Sequence, residues 1–175
     1  MSSEHVPTAE LADAAGVPIA MDHRIRPVWA GATLAGPAFT VRTPAGEHPA
    51  VRAATDEAPP GAVIVVDGAG AVDRALWGDK MARLALDRGV AGLVVDGAVR
   101  DAEGIAELGF PVFAAGVTPT PPRREREGEV GVPITCGGLT VRPGDVVYGD
   151  GDGVVVVPGE RHDEILRQAL EALRG

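Results

Sequence analysis

The chain has 175 residues, which is enough for one domain with a sizeable core, and we expect a single domain over residues 1–175. It carries 16 basic and 25 acidic residues, so its net charge is −9. This balance argues against a general nucleic-acid-binding surface, because such a surface needs excess positive charge. Apolar residues make up 45% of the chain but aromatic residues only 3%, so we expect a core of Val, Ala, Leu and Ile.

Several features favour a cytoplasmic protein with no membrane segment. Acidic residues interrupt the N-terminal region, which therefore lacks the basic segment and apolar run of a signal peptide. The longest apolar runs, 62–66 and 154–157, are too short to cross a bilayer. The single cysteine, Cys136, cannot form an intrachain disulfide.

The N-terminal part predicts short elements separated by breaker residues. Residues 8–16 are typical of a helix, with Thr8 as its N-cap and Gly16 as its stop. Residues 37–42 alternate in polarity and predict a strand. An amphipathic helix is predicted over 50–58, where a Pro-Pro-Gly sequence ends it.

The central part predicts alternating buried strands and helices. Residues 62–67 and 92–96 are apolar runs that end at an aspartate, a pattern typical of strands buried on both faces. Helices are predicted over 79–88 and 101–108, and a third strand over 111–114. This alternation indicates right-handed crossovers and a parallel sheet.

The C-terminal part predicts a different architecture. Residues 119–127 form a polar connection that we interpret as a solvated surface segment. Four short strands and a final helix follow: 132–135, 139–141, 146–148, 153–157 and 158–173. The predicted fold class is therefore α/β, with a parallel crossover half and an antiparallel half.

Two glycine-containing loops suggest ligands but are better explained as turns. The loop 67–73 follows a strand, as a dinucleotide-binding loop does, but Asp73 stands where a third glycine is needed. The loop 149–153 alternates Gly and Asp as calcium loops do, but a single copy without a downstream Glu favours a hairpin turn. Nothing near Cys136 would lower the pKa of its thiol, so we predict a small buried residue there.

Neither the histidines nor the only lysine indicates a catalytic role alone. The chain has four scattered histidines: His5, His23, His48 and His162. Their spacing matches neither a catalytic triad nor a metal site. Lys80 could form a Schiff base with a keto acid if it were desolvated, but a lysine in the first turn of a helix more often points into solvent.

The strongest candidate site combines two segments that follow the predicted buried strands. Trp77-Gly78-Asp79-Lys80 leads into one helix and Arg100-Asp101 into the next. Ligands gather at this edge of open α/β sheets, where the free N–H groups of helix starts favour anions. Arg100 suits a carboxylate, and Asp79 and Asp101 offer oxygen ligands for a divalent cation. The alternative is that Arg100 and Asp101 form a local surface pair and Asp101 caps its own helix.

Further motifs extend this pattern over most of the chain. They are 76–79, 89–101, 110–113, 136–138, 143–145 and 152–158. In these motifs the chain, from about residue 8 to 170, resembles the family that joins the bacterial regulator of ribonuclease E activity A and the class II 4-hydroxy-4-methyl-2-oxoglutarate aldolases. The aldolase branch has an acidic residue, twenty intervening residues and then Arg-Asp, and Asp79 with Arg100-Asp101 matches that spacing.

The resemblance implies a swivelling β/β/α fold and a Mg²⁺- or Mn²⁺-dependent pyruvate aldolase that also decarboxylates oxaloacetate. It implies that Asp101 binds the metal, that Arg100 contacts the pyruvyl group and that Asp79 holds a water that relays a proton. The backbone ending at Trp77-Gly78 would bind the substrate carboxylate, with Lys80 in the same substrate-binding group.

The resemblance also implies a homotrimer or a homohexamer with sites between subunits. An acidic residue of a neighbouring subunit is then expected near the site, and Asp150 and Asp152 are candidates. Because the net charge opposes an anionic substrate, Arg123 or Arg124 is expected to help compensate it. The alternative from another class is a non-catalytic protein that regulates a ribonuclease.

Overall fold

The computed structural model describes residues 5–175, which form five α-helices and ten strands. The helices are α1 Thr8–Ala15, α2 Pro49–Glu57, α3 Asp79–Asp87, α4 Ala102–Leu108 and α5 His162–Arg174. The first five strands are β1 Arg26–Pro27, β2 Leu34–Arg42, β3 Val63–Asp67, β4 Gly92–Val99 and β5 Val112–Val117. The others are β6 Glu129–Val130, β7 Ile134–Cys136, β8 Leu139–Val141, β9 Val146–Asp150 and β10 Gly153–Val157.

One mixed sheet forms the centre of the fold, in the strand order β1-β5-β4-β3-β2-β9-β10, and β6 pairs with β2. Strands β2, β3, β4 and β5 are parallel to one another, and α2, α3 and α4 make the three connections between them. Strands β9, β10 and β1 are antiparallel to their neighbours, and β7 and β8 form a separate antiparallel pair. This arrangement confirms the predicted α/β class and its division into a parallel and an antiparallel half.

Both faces of the parallel strands are covered, which explains their continuous apolar sequences. Helices α2, α3 and α4 pack on one face around Ile64, Val66 and Phe110. The opposite face packs around Val65 and Phe113 with the β7–β8 pair. A third cluster joins α1 and α5 to the antiparallel strands.

The start of α1 differs from the prediction. Pro7, not Thr8, occupies the N-cap position, while Gly16 ends the helix in a left-handed conformation as predicted. Thr8 instead donates hydrogen bonds from its N–H and its hydroxyl to the Asp150 carboxylate, at 2.9 and 2.8 Å. Burial raises the pKa of Asp150, but the hydrogen bonds from Thr8 and from the Asp152 amide outweigh it and hold that pKa below its usual value. Asp150 is therefore engaged within its own chain.

The glycine loops and the cysteine agree with the simpler interpretations. The 149–153 segment is the turn of the β9–β10 hairpin, in which Asp150 pairs with Gly153. Helix α3 begins only at Asp79, well after the loop that follows β3. The Cys136 thiol is buried and donates to the Val66 carbonyl at 3.6 Å, and burial raises its pKa. None of the described helices combines the length and apolar character needed to cross a membrane.

Gly149 shows how tightly the antiparallel half packs on the parallel half. A Cβ atom at this position in β9 would lie 2.8 Å from Cζ of Phe113, whereas one at Gly151 would meet nothing within 4 Å. We expect Gly149→Ala to lower the free energy of unfolding by about 1–3 kcal/mol, because the buried ring has no room to move. Gly151→Ala should change it by less than about 0.5 kcal/mol. Urea denaturation measures both, and equal stability of the two variants would contradict the packing argument.

Candidate active site

The candidate site exists because two distant segments pair through their backbones. Ala75 bridges Ala98 in parallel, and the Leu76 N–H donates to the Ala98 carbonyl at 2.8 Å. The Arg100 N–H donates in turn to the Trp77 carbonyl at 2.9 Å. The segment before α3 therefore runs beside the end of β4, and the residues that follow both segments are brought together.

Asp101 links these two segments with its side chain. Its Oδ2 accepts a hydrogen bond from the Asp79 N–H at 3.1 Å, which places a carboxylate at the N-terminus of α3. Asp101 occupies the N-cap position of α4, as that alternative expected, but its side chain makes no capping hydrogen bond to this helix and binds the start of α3 instead. Asp101 also has a φ of 60°, a left-handed conformation that costs a non-glycine residue about 1–2 kcal/mol. Such strain is typical of functional sites.

Two glycines make room for the carboxylates. A Cβ atom on Gly78 would lie 2.5 Å from Oδ2 of Asp101, so any side chain there would break the contact with α3. A Cβ atom on Gly104 would lie 3.1 Å from Oδ2 of Asp79. The approach of α4 to α3 therefore depends on residues without side chains at both points.

A pocket with a cavity volume of about 370 Å³ lies at this junction. That volume is within the range of small-molecule sites, about 300–1,000 Å³. Its lining includes all six predicted site residues: Trp77, Gly78, Asp79, Lys80, Arg100 and Asp101. No ion pair between described residues joins Arg100 to Asp101, so they are not the local surface pair considered above. The residues meet at one pocket, and their individual roles remain predictions.

Trp77 lines the pocket, and its indole ring is buried in the core. The side chain is only 2% exposed and stacks on Phe110, with 6.0 Å between ring centroids. The ring anchors the loop in the core beneath the pocket. Gly78 and the first turn of α3 also line the cavity, and the N–H groups of this turn that follow Asp79 suit an anion, whereas the Asp79 N–H already donates to Asp101.

Lys80 lines the same pocket but is exposed to solvent. A Schiff-base lysine needs desolvation or a cationic neighbour that favours its neutral form. Because it is exposed, Lys80 provides a positive charge at the edge of the pocket. The Schiff-base alternative required a buried lysine, which the structure does not show.

Sequence reasoning missed a second group of pocket residues. His48 and Arg52 lie four residues apart, at the N-cap and in the first half of α2, and so lie near one face of that helix. Arg124, one of the two arginines expected near the cleft, also lines the pocket, whereas Arg123 does not. In total four basic and two acidic side chains line a pocket on a chain whose net charge is −9. The lining of the pocket is therefore net positive, although the whole chain is net negative.

A buried carboxylate fixes the segment that carries Arg124. Glu47 is only 2% exposed, and its Oε2 accepts hydrogen bonds from the amides of Glu125 and Arg126 at 2.9 and 3.0 Å. Burial raises the pKa of Glu47, but these hydrogen bonds and the charges of Arg123 and Arg126 outweigh it and hold that pKa below its usual value. The 119–127 connection is exposed as predicted, yet it is tied to the residue before His48.

The pKa of His48 is lowered partly by the positive charges that surround it in the pocket. Burial lowers the pKa of its imidazole, and the nearby Arg124, Arg52 and Arg100 charges lower it further. Three guanidinium groups are therefore close enough to disfavour a further positive charge on His48.

The acidic side chains of the pocket fit a hydrated divalent cation but not a closed metal cage. Among residues 5–175 no three His, Cys, Asp or Glu side chains are grouped to hold an ion. Mg²⁺ commonly binds one or two carboxylates and keeps several waters, and Asp101 is an exposed carboxylate with only its Oδ2 hydrogen-bonded to protein. Asp79 adds a second carboxylate to the same pocket.

The role of Glu47 can be tested by proteolysis. We expect Glu47→Ala to increase tryptic cleavage after Arg123, Arg124 and Arg126, because the amides that hold this segment lose their acceptor. Limited digestion followed by mass spectrometry measures the sites and rates. Glu57→Ala, an exposed position at the end of α2, is the control and should leave them unchanged. Identical digestion of Glu47→Ala and the wild type would contradict the tether.

Comparisons with known proteins identify the family of this chain. Residues 8–156 match the RraA-like family model, described as Aldolase/RraA. A protein of Halalkalibacterium halodurans named "Putative 4-hydroxy-4-methyl-2-oxoglutarate aldolase" is 40% identical over 164 residues, which are 94% of this chain and 78% of that protein.

Solved structures share the fold over nearly the whole chain. An uncharacterized protein from Pseudomonas syringae has a TM-score of 0.88 at 33% identity, covering 98% of this chain and 81% of its own. The RNA-processing inhibitor RraA from Thermus thermophilis has a TM-score of 0.80 at 35% identity, covering 87% and 92%. On these matches and on its mixed sheet, the chain belongs to the RraA-like family of aldolases and RraA proteins.

Proposed function

We propose that this protein is a divalent-metal-dependent carbon–carbon lyase that cleaves 4-hydroxy-4-methyl-2-oxoglutarate-type acids to pyruvate and decarboxylates oxaloacetate. The observation that carries the proposal is the meeting of Asp79, Arg100 and Asp101 at one pocket, although the two aspartates are 22 positions apart in the sequence. The two carboxylates and the guanidinium group that such a reaction needs can therefore all contact one small substrate.

In this proposal the 2-keto acid binds with its C1 carboxylate at the N-terminus of α3. The backbone N–H groups there and the Arg100 guanidinium hold the carboxylate and orient the C2 oxygen. Asp101 would hold Mg²⁺ or Mn²⁺, which would supply positive charge beside the oxygen on which negative charge develops.

Cleavage requires a proton to leave the C4 hydroxyl of the substrate and a proton to reach C3 afterwards. As the hydroxyl proton leaves, the C3–C4 bond breaks and its electron pair forms the C2–C3 double bond, which places negative charge on the C2 oxygen. Arg100 stabilises that charge, and Asp79 holds the water that accepts and returns the proton. In oxaloacetate the carboxylate on C3 leaves as carbon dioxide by the same movement of electrons.

The assembly belongs to the proposal as well. We infer a homotrimer or a homohexamer in which a second copy closes the site, since the pocket is open and the adjoining Val117, beside Arg100 and Asp101, is 59% exposed. An acidic side chain of that copy would then add to Asp79 and Asp101. Light scattering should give about three or six times the chain mass of 17.9 kDa, and a monomer at micromolar concentration would contradict it.

Removal of the metal or of its proposed ligand tests the reaction. Pyruvate release from oxaloacetate and from 4-hydroxy-4-methyl-2-oxoglutarate should stop with EDTA and return with Mg²⁺ or Mn²⁺. We expect Asp101→Asn to lower kcat/KM at least about 100-fold, since the amide oxygen can still accept the Asp79 N–H but carries no charge for a cation.

The matched control is Glu103→Gln, an exposed acid in the first turn of α4 that does not line the pocket and should keep full activity. Pyruvate release that survives both EDTA and Asp101→Asn would overturn the lyase assignment. The alternative, a non-catalytic regulator of a ribonuclease, has a relative in its favour, the RNA-processing inhibitor RraA. It predicts no pyruvate release under any of these conditions.

A further inference from the structure

The pocket has a basic wall that the proposed cleavage does not use. We name His48, Arg52 and Arg124 the α2 wall, because the first two lie at and in the first half of α2 and Glu47 ties the third beside them. Arg100 and the N-terminus of α3 already provide for one carboxylate, and Asp101 for a cation. The α2 wall is therefore positive charge in excess of what a simple 2-keto acid needs.

Few ion pairs neutralise the charges of the α2 wall. Arg124 forms no ion pair with any described residue. Arg52 contacts only Asp56, one turn further along an exposed face, with 3.3 Å between Nε and Oδ2. Such an exposed pair is weak and easily exchanged. The acidic residues of the pocket, Asp79 and Asp101, come from the other two segments. An anion entering beside the α2 wall would meet donors whose charge is not already neutralised.

The side-chain types of the α2 wall suit a carboxylate. Two guanidinium groups can each present paired N–H donors to its oxygens, and the half-buried His48 ring can add a third donor. The lowered pKa of His48 fits this picture, because the same surrounding positive charge that disfavours imidazolium favours a bound anion. The cavity of about 370 Å³ leaves room beyond a pyruvyl group.

We propose that His48, Arg52 and Arg124 bind the second carboxylate of the dicarboxylic substrates proposed above, at the end remote from the 2-keto group, and are the residues that favour dicarboxylic over monocarboxylic 2-keto acids. This inference rests on the proposed function for the orientation of the substrate. The α2 wall then determines specificity, and Arg100 with its neighbours determines the reaction.

Binding of two non-cleavable ligands tests the inference without turnover. 2-Oxoglutarate and 2-oxopentanoate are both five-carbon 2-keto acids and differ in whether the far end is a carboxylate or a methyl group. By isothermal titration calorimetry with Mg²⁺ at fixed ionic strength, we expect the wild type to bind 2-oxoglutarate at least about tenfold more tightly. In Arg124→Gln this preference should fall to less than about threefold, while the affinity for 2-oxopentanoate stays unchanged.

Arg126→Gln is the matched control, since it removes the same charge from the same exposed segment without touching the pocket lining. It should keep the wild-type preference. Arg52→Gln, a change on a different element, should reduce the preference in the same direction, which excludes a local distortion of the 119–127 connection. Thermal melting confirms that each variant folds, as expected for exposed side chains.

Equal affinity of the wild type for the two ligands would overturn the inference. A loss in Arg124→Gln that is the same for both ligands, or a loss in Arg126→Gln as large as that in Arg124→Gln, would do so too. The two proposals fail separately. A preserved preference for the diacid with no pyruvate release would refute only the lyase reaction, and metal-dependent pyruvate release without any preference would refute only the role of the α2 wall.

Discussion

The hydrogen-bonded pairing of the segment before α3 with the end of β4 is the constraint on which the site depends. Parallel strands require a long connection between β3 and β4, and the part of that connection before α3, residues 75–77, runs parallel to the end of β4. The contact between the Asp79 amide and the Asp101 carboxylate then closes the junction. Side chains that are distant in sequence therefore sit on backbone that is fixed by hydrogen bonds, as a reactive site requires.

The junction is supported from below by the core. The Trp77 ring lies under the loop against Phe110, so the loop cannot lift without exposing a large aromatic surface. The glycines at 78 and 104 allow the close approach above it. The rigidity of the pocket floor thus comes from ordinary apolar packing, while its chemistry comes from the exposed and half-buried charges that this packing positions.

Sequence reasoning predicted the fold class and the first half of the site for identifiable physical reasons. The apolar runs 62–67 and 92–96 are short and bounded by turn residues, which is typical of strands covered on both faces, and glycine stops limited the helices between them. The two-residue strands β1 and β6 carry no periodicity and were missed. Thr8 was wrongly assigned as a cap, because its partner Asp150 is 142 residues away.

The sequence did not predict the α2 wall as a group, because its members also meet only through long-range contacts. His48 and Arg52 look like the solvent-facing residues of an amphipathic helix, and Arg124 was expected near the cleft only as an alternative to Arg123. Only the long-range pairing of the 119–127 connection with residues 46–48 places them at one pocket.

The tether made by Glu47 reaches backbone amides and no side chain. These hydrogen bonds can hold the backbone of the 119–127 connection whatever its side chains are, provided that neither donor position, 125 or 126, is a proline. The side chain that faces the cavity from position 124 can therefore be exchanged at little cost to folding. If the α2 wall selects the substrate as we propose, selectivity depends on an exchangeable side chain, separate from the strained and crowded junction where the reaction would occur.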